Sequence, residues 1–163
     1  MDPASEARLQ NVMPTLADKI NTMAEMLAQE GITIRVVQGL RTWAEQDALY
    51  AQGRTVPGKI VTNAKGGQSW HNYGCAVDCA PMNPDGTVDW DASHPQWKRM
   101  EVVGVSLGLT SGANWVRLVD APHFQLTGPF PVGAPDEEAM QVYKNEGAVA
   151  FWQQIDSDAP TVA

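Results

Sequence analysis

The stretch Ser69-Trp70-His71-Asn72-Tyr73-Gly74-Cys75-Ala76-Val77-Asp78 constrains the fold more than any other part of the chain. Cys75–Ala80 is apolar apart from one carboxylate and reads as a buried strand. In extended backbone, alternate side chains face opposite ways. Ala76 and Asp78 then share one face, and Cys75, Val77 and Cys79 share the other. Asp78 is thus a lone charge on a buried segment, which is costly unless it is paired or coordinates a metal. The chain must therefore bring a cation to Asp78, whether an Arg side chain or a metal ion. Gly74 permits a tight approach between His71 and the strand.

Asp120-Ala121-Pro122-His123 answers this stretch. Positions three apart on a regular strand face opposite ways, so Asp120 and His123 cannot serve one site from regular β structure. A turn at Ala121-Pro122 is expected, with Asp120 still in the loop and His123 opening a strand. The two stretches together hold two imidazoles and two carboxylates, the ligand types of a catalytic Zn²⁺ site with a carboxylate left over as base. Taken alone, His123 also reads as a satisfied core histidine. His94, before Pro95 at a helix start, reads as a solvent-exposed side chain rather than a ligand. Asp85, Asp89 and Asp91 do not have the spacing of an EF-hand loop.

The remaining pattern is α+β, with a small antiparallel sheet flanked by helices. Leu9, Val12, Met13, Leu16, Ile20, Met23 and Leu27 recur at steps of three and four. With Pro14 at a first turn, they predict a short helix and then a longer one from Pro14 to Gln29, ended by Gly31. Ile32–Val37 reads as a strand. Thr42-Trp43-Ala44-Glu45 has a capping-box pattern opening a helix over 43–52. Arg41 then lies between a strand end and a helix start, a common place for functional residues, though a solvated loop Arg fits equally well. Residues 54–67 read as a long loop around a β-prone Ile60-Val61-Thr62, of the kind that binds or covers a ligand. Thr87–Trp90 reads as a short hairpin partner. Ser93 with Gln96 predicts the cap of a helix to Leu107, with Trp97, Met100, Val103 and Val105 in the core. Residues 111–115 read as loop and His123–Leu126 as a strand. Asp136 caps a last helix over 137–155, interrupted near Gly147, and a frayed tail follows from Asp156.

Length and composition set outer bounds. The 163 residues suit one domain, and no apolar run approaches a membrane span. The first residues, Met1-Asp2-Pro3-Ala4-Ser5-Glu6, lack the basic and apolar regions of a signal peptide, so synthesis in the cytoplasm is expected. A formal charge of −8 argues against nucleic acid as a partner, since phosphate binding needs clustered Lys and Arg. Cys75 and Cys79 on one strand would lie ~13 Å apart at ~3.3 Å per residue, too far for a disulfide, and read as buried thiols.

Ser69-x-His71-x-x-Gly74-x-Ala76-x-Asp78 followed by Asp120-x-x-His123 resembles the zinc peptidases of peptidoglycan. That group holds D-alanyl-D-alanine carboxypeptidases and dipeptidases together with L-alanoyl-D-glutamate endopeptidases, many of them phage endolysins. The five fixed positions of the first motif arise by chance at on the order of one in a million per start point, so coincidence does not explain the match. The similarity runs from about Gln38 to Gln125. Gly39-Leu40-Arg41-Thr42 with Gln46, Gln52-Gly53-Arg54-Thr55 and His71-Asn72-Tyr73-Gly74 are similar to the endopeptidase branch. So is Asp120, where carboxypeptidases more often carry Glu. Leu109–Trp115 departs from a usual Trp-Gly-Gly-like segment, although Trp115 remains.

The resemblance implies a hedgehog/D-Ala-D-Ala peptidase-like fold and one catalytic Zn²⁺ held by His71, Asp78 and His123. It implies Asp120 as the proton-transferring base, Arg41 as the stabiliser of the oxyanion, and Ser69 and Trp115 as substrate contacts. The expected reaction is hydrolysis of the L-alanoyl–D-glutamate bond of the peptidoglycan stem peptide by a monomeric endolysin. If phage-encoded, such an enzyme relies on holin-like export to reach the wall, and a chain without a wall-binding module suits a thin wall. Two rivals stand beside this reading: a D-alanyl-D-alanine carboxypeptidase, and a non-catalytic zinc-containing module of hedgehog type. Asp120 with Arg41 favours an enzyme.

Overall fold

The computed structural model describes residues 1–116 and 119–157. It divides into two compact units, Met1–Gly39 with Ala76–Leu126, and Leu40–Cys75 with Thr127–Ala163.

The first unit contains the sheet. Strands β1 (Ile34–Gln38), β2 (Ala76–Pro81), β3 (Thr110–Ser111) and β4 (His123–Gln125) pair antiparallel in the order β1-β2-β4-β3. The helices α1 (Pro3–Leu9), α2 (Pro14–Gln29) and α4 (Pro95–Ser106) belong to the same unit. The expected break before Pro14 is present, and Gly31 takes the left-handed conformation (φ 77°) that ends α2. Leu16, Ile20, Met23 and Leu27 form the buried stripe of α2. Phe124 on β4 lies so close to Gly104 of α4 that a Cβ there would be 2.4 Å from its ring. Small size at 104 is therefore what lets α4 approach the sheet. Cys75, in the second unit, and Cys79 are both buried free thiols, and burial pushes their pKa values up.

Four expectations for this unit change. Thr110–Ser111, which includes the start of the expected loop, forms the edge strand β3, because β4 offers it a free side to pair with. Ser93 does not cap α4. Its N–H and hydroxyl both donate to Asp91 (3.0 and 2.6 Å), and Gln96 donates to Asp89 instead (2.7 Å). Val105 is exposed rather than core. The hairpin partner expected at Thr87–Trp90 is reduced to an isolated bridge between Met82 and Val88.

The second unit contains α3 (Trp43–Ala51), a 3-10 turn at Trp70–Tyr73 and α5 (Glu137–Ser157). The Thr42/Glu45 capping box is formed. Ile60-Val61-Thr62 does not become a strand, and Ile60 and Val61 lie exposed. Side chains organise the 54–67 loop instead. Arg54 donates to the carbonyls of Tyr50 and Thr62, Gln46 to that of Ala64, and Asp47 accepts from Gly66 N–H. The 3-10 turn is anchored by its aromatic rings. Trp70 and Tyr73 pack with Phe151, and Trp152 Nε1 donates to the Tyr73 carbonyl (2.7 Å). Asp136 caps α5 as expected, and Gly147 (φ 83°, ψ 170°) interrupts it. Asp156 and Ser157 still belong to α5, while the rest of the expected frayed tail lies outside the described residues.

Candidate metal centre

Strands β2 and β4 build most of the centre. Their register sets Asp78 opposite His123 and Ala76 opposite Gln125. These four side chains therefore share one face of the sheet, and Val77 and Phe124 share the apolar other. On β1, Val36 pairs with Cys79 but Gln38 pairs with Asp78, so Val37 is an extra residue. Such a bulge bends a strand and re-aims its neighbours, and here it lies beside Asp78.

His123 is buried, with Nδ1 3.5 Å from Asp78 Oδ1 and Nε2 2.8 Å from Gln125 Oε1. Burial alone would lower the imidazole pKa. The adjoining Asp78 carboxylate, helped by Gln125 and Asp120, outweighs it and holds the pKa above the ordinary value. The pocket thus favours positive charge at this ring.

The turn expected at Ala121-Pro122 is present. His123 N–H donates to the Asp120 carbonyl (3.1 Å), Asp120 N–H donates to the Gly112 carbonyl (3.0 Å), and Cys79 N–H donates to the Pro122 carbonyl (2.8 Å). Asp120 remains half-buried, and its charge is felt at His123. The Trp115 ring lies 4.9 Å from that of His123, centroid to centroid, and is half-exposed.

His71 and Arg41 belong to the second unit. His71 is buried in the 3-10 turn, and its carbonyl accepts from Arg41 N–H (3.0 Å). The Asn72 amide donates to the Arg41 carbonyl and accepts from Gly67 N–H, both at 2.9 Å. The Arg41 main chain is thereby held beside that of His71. Its guanidinium donates from Nη1 to Gln46 Oε1 (2.8 Å), and Gln46 is fully buried. Ser69 directly precedes the turn, half-buried, and its hydroxyl does not cap it.

Among the described residues, His71, Asp78 and His123 form a group able to hold a metal ion, each offering one ligand atom within 4.8 Å of the others. Two donors about 2.1 Å from a tetrahedral ion lie about 3.4 Å apart, close to the Nδ1–Oδ1 separation of 3.5 Å. Two imidazoles and one carboxylate are a donor set that fits a catalytic zinc-type ion. His94 stays outside this group. Its Nδ1 is 2.8 Å from Asp89, whose hydrogen bond and charge raise its pKa.

Reading residues one by one gives no role to Asn72, Gln46, Gln125 or Gly112, and Gln46 and Asn72 enter the sequence reading only within motifs similar to the endopeptidase branch. For the three amides the missing signal is burial, since Gln and Asn are usually exposed. A Cβ at Gly112 would lie 2.5 Å from the Asp120 carbonyl oxygen and 3.0 Å from His123 Cβ, a close approach visible only in three dimensions.

The chain is similar to known proteins in sequence and in fold. The chain is 36% identical over 120 residues to the peptidoglycan L-alanyl-D-glutamate endopeptidase CwlK of Bacillus subtilis (strain 168), covering 69% of this chain and 72% of that one. The crystal structure of the L-Ala D-Glu endopeptidase ChiX of Serratia marcescens matches with a TM-score of 0.54 and 26% identity, over 78% of this chain and 89% of that one. The LD-carboxypeptidase LdcB shares the fold, with a TM-score of 0.53 at 16% identity, over 88% of this chain and 69% of that one. Residues 9–142 match the family model described as VanY, D-alanyl-D-alanine carboxypeptidase, and the chain belongs to that peptidase family.

Proposed function

We propose that the protein is a zinc-dependent peptidoglycan endopeptidase that hydrolyses the L-alanoyl–D-glutamate bond of the stem peptide. The observation that carries this reading is the His71–Asp78–His123 donor group with Asp120 one turn before His123. The identity to CwlK supports the choice of bond, and the likeness to ChiX points the same way.

In this reading His71, Asp78 and His123 would hold Zn²⁺, which when bound would supply Lewis acidity at the scissile carbonyl and bring the pKa of water down towards about 7. Asp120 takes the proton of the attacking water and returns it to the leaving amine. Half-exposure lets Asp120 reach substrate, while the turn closed by His123 N–H fixes its backbone. The Arg41 guanidinium offsets the charge that develops on the carbonyl oxygen. It suits that role because its charge is permanent and Gln46 already orients one of its nitrogens. Trp115 and Ser69 contact the substrate flanking the bond. The substrate lies in the wall, so the enzyme acts after release from the cytoplasm, as an endolysin does.

Mass analysis of a peptidoglycan digest, with and without a chelator, tests the reading. A new D-Glu N-terminus that disappears with chelator is the expected result. Free D-Ala would instead support the carboxypeptidase activity that the family description names. A zinc-loaded protein that cleaves no stem peptide would sink the enzyme reading altogether.

A further inference from the structure

Gln125 is fully buried on β4, with Ala76 opposite it on β2 and Thr110 opposite on β3. β4 pairs on both sides, so the Gln125 backbone is held from either edge. An amide in such a place loses its water and needs partners, whereas a Leu or Met would fill the space without that demand. Two residues along a strand return to the same face, and Gln125 Oε1 is 2.8 Å from His123 Nε2.

We propose that Gln125 is a positioning residue for His123. Its side-chain carbonyl accepts the Nε2–H hydrogen and holds the imidazole in the tautomer whose Nδ1 lone pair faces Asp78. The proposal rests on the reading of His123 as a metal ligand. A neutral imidazole has one donor and one acceptor nitrogen, and the hydrogen bond at one nitrogen decides which electron pair is left for a metal. With the hydrogen on Nε2, Nδ1 and Asp78 Oδ1 are two acceptors 3.5 Å apart, an arrangement that suits a cation shared between them. With the amide turned over, its NH₂ would donate to Nε2, the hydrogen would move to Nδ1, and that nitrogen could not ligate. Charge explains why an amide serves here rather than a carboxylate. Asp78 and Asp120 already balance a dication, and a third negative group beside His123 would exceed it.

The test compares the full chain with Gln125→Leu, which removes the acceptor, and Gln125→Glu, which can accept but not donate. Long-range proton–nitrogen correlation spectra of the histidine rings, recorded with and without Zn²⁺ at a pH where the rings are neutral, report the tautomer directly. Zinc affinity is measured by competition with a chromogenic chelator. The expected result is an Nε2–H ring for His123 in the wild type with and without zinc. In Gln125→Leu a mixed tautomer and a 10- to 100-fold loss of zinc affinity, on the order typical for outer-shell partners, are expected. Gln125→Glu should restore the tautomer. An Nδ1–H ring in the wild type overturns the proposal, and so does an unchanged tautomer and affinity in Gln125→Leu. If Gln125→Leu does not fold, the wild-type and Gln125→Glu spectra decide alone. An Nε2–H wild-type ring combined with no zinc affinity would overturn the ligand reading itself, and the ring spectrum tells that failure apart.

Discussion

Asp78 and His123 are register partners on β2 and β4, and the carboxylate oxygen of one lies 3.5 Å from Nδ1 of the other. The sheet ladder, rather than a flexible loop, thus sets the spacing of two donors. That leaves little to reorganise when an ion binds, and it makes the carboxylate charge hard to replace. Asp78→Asn keeps the shape and removes the charge. Zinc affinity should fall by at least about tenfold, the lower end for a disturbed site, while the fold is retained. Chelator competition and circular dichroism read the two quantities. Unchanged zinc affinity would remove Asp78 from the ligand set.

Arg41 is fixed at two levels, its main chain by His71 and Asn72 and its guanidinium by Gln46. Arg41→Ala should lower kcat/KM on the order of 10²–10³-fold while zinc stays bound, since one stabilising donor is lost and no ligand. Gln46→Leu should fall between wild type and Arg41→Ala, because the charge remains but its aim loosens. Steady-state kinetics on a stem-peptide substrate, paired with metal analysis, checks both. Near-normal turnover in Arg41→Ala would take Arg41 out of the mechanism.

Part of the local geometry was readable from strand parity. Asp120 with His123 required a turn, which the structure bears out, and Asp78 stands on the face of β2 that carries His123 opposite it on β4. Helices α1, α2 and α3 were readable because Pro14, Gly31 and the Thr42/Glu45 box mark their ends locally. What was not readable depends on distant partners. β3 exists only because β4 offers an edge, and Ile60-Val61-Thr62 is as β-branched as a strand but carries no ladder. Ser93 satisfied a local capping pattern yet was drawn to Asp91, a nearer acceptor. The buried amides at 46, 72 and 125 look like surface residues until packing buries them.

Gly112 couples the 3-10 turn after β3 to the Asp120 turn. An added methyl would meet the Asp120 carbonyl oxygen at 2.5 Å and His123 Cβ at 3.0 Å, and neither is the movable end of a side chain. Gly112→Ala should cost about 1–3 kcal/mol through overpacking, lowering Tm by several degrees. It should also displace Asp120, reducing kcat/KM more than the stability loss explains at temperatures where the variant is fully folded. Differential scanning calorimetry and kinetics on the same preparation test this. A lowered Tm with wild-type turnover would show that the turn absorbs the clash without moving Asp120.

Asp2 ties α1 to β1. Its carboxylate accepts from Ala4 N–H, Ser5 N–H, the Ser5 hydroxyl and Arg35 Nε. Burial would raise its pKa, but the Ser5 and Arg35 bonds outweigh that and bring it from 3.8 to about 2. The folded value lies below the unfolded one, so the charged form is the one that folding favours. Its contribution is complete above about pH 4 and is lost as pH falls towards about 2. Asp2→Ala removes a helix N-cap and should cost about 1 kcal/mol at neutral pH. In the same variant the fall in stability between about pH 4 and about pH 2 should become shallower, since the group that titrates there is gone. Urea midpoints measured for both proteins across that range supply the check. Parallel curves, offset but equally steep in acid, would mean that the cap stabilises α1 without the lowered pKa.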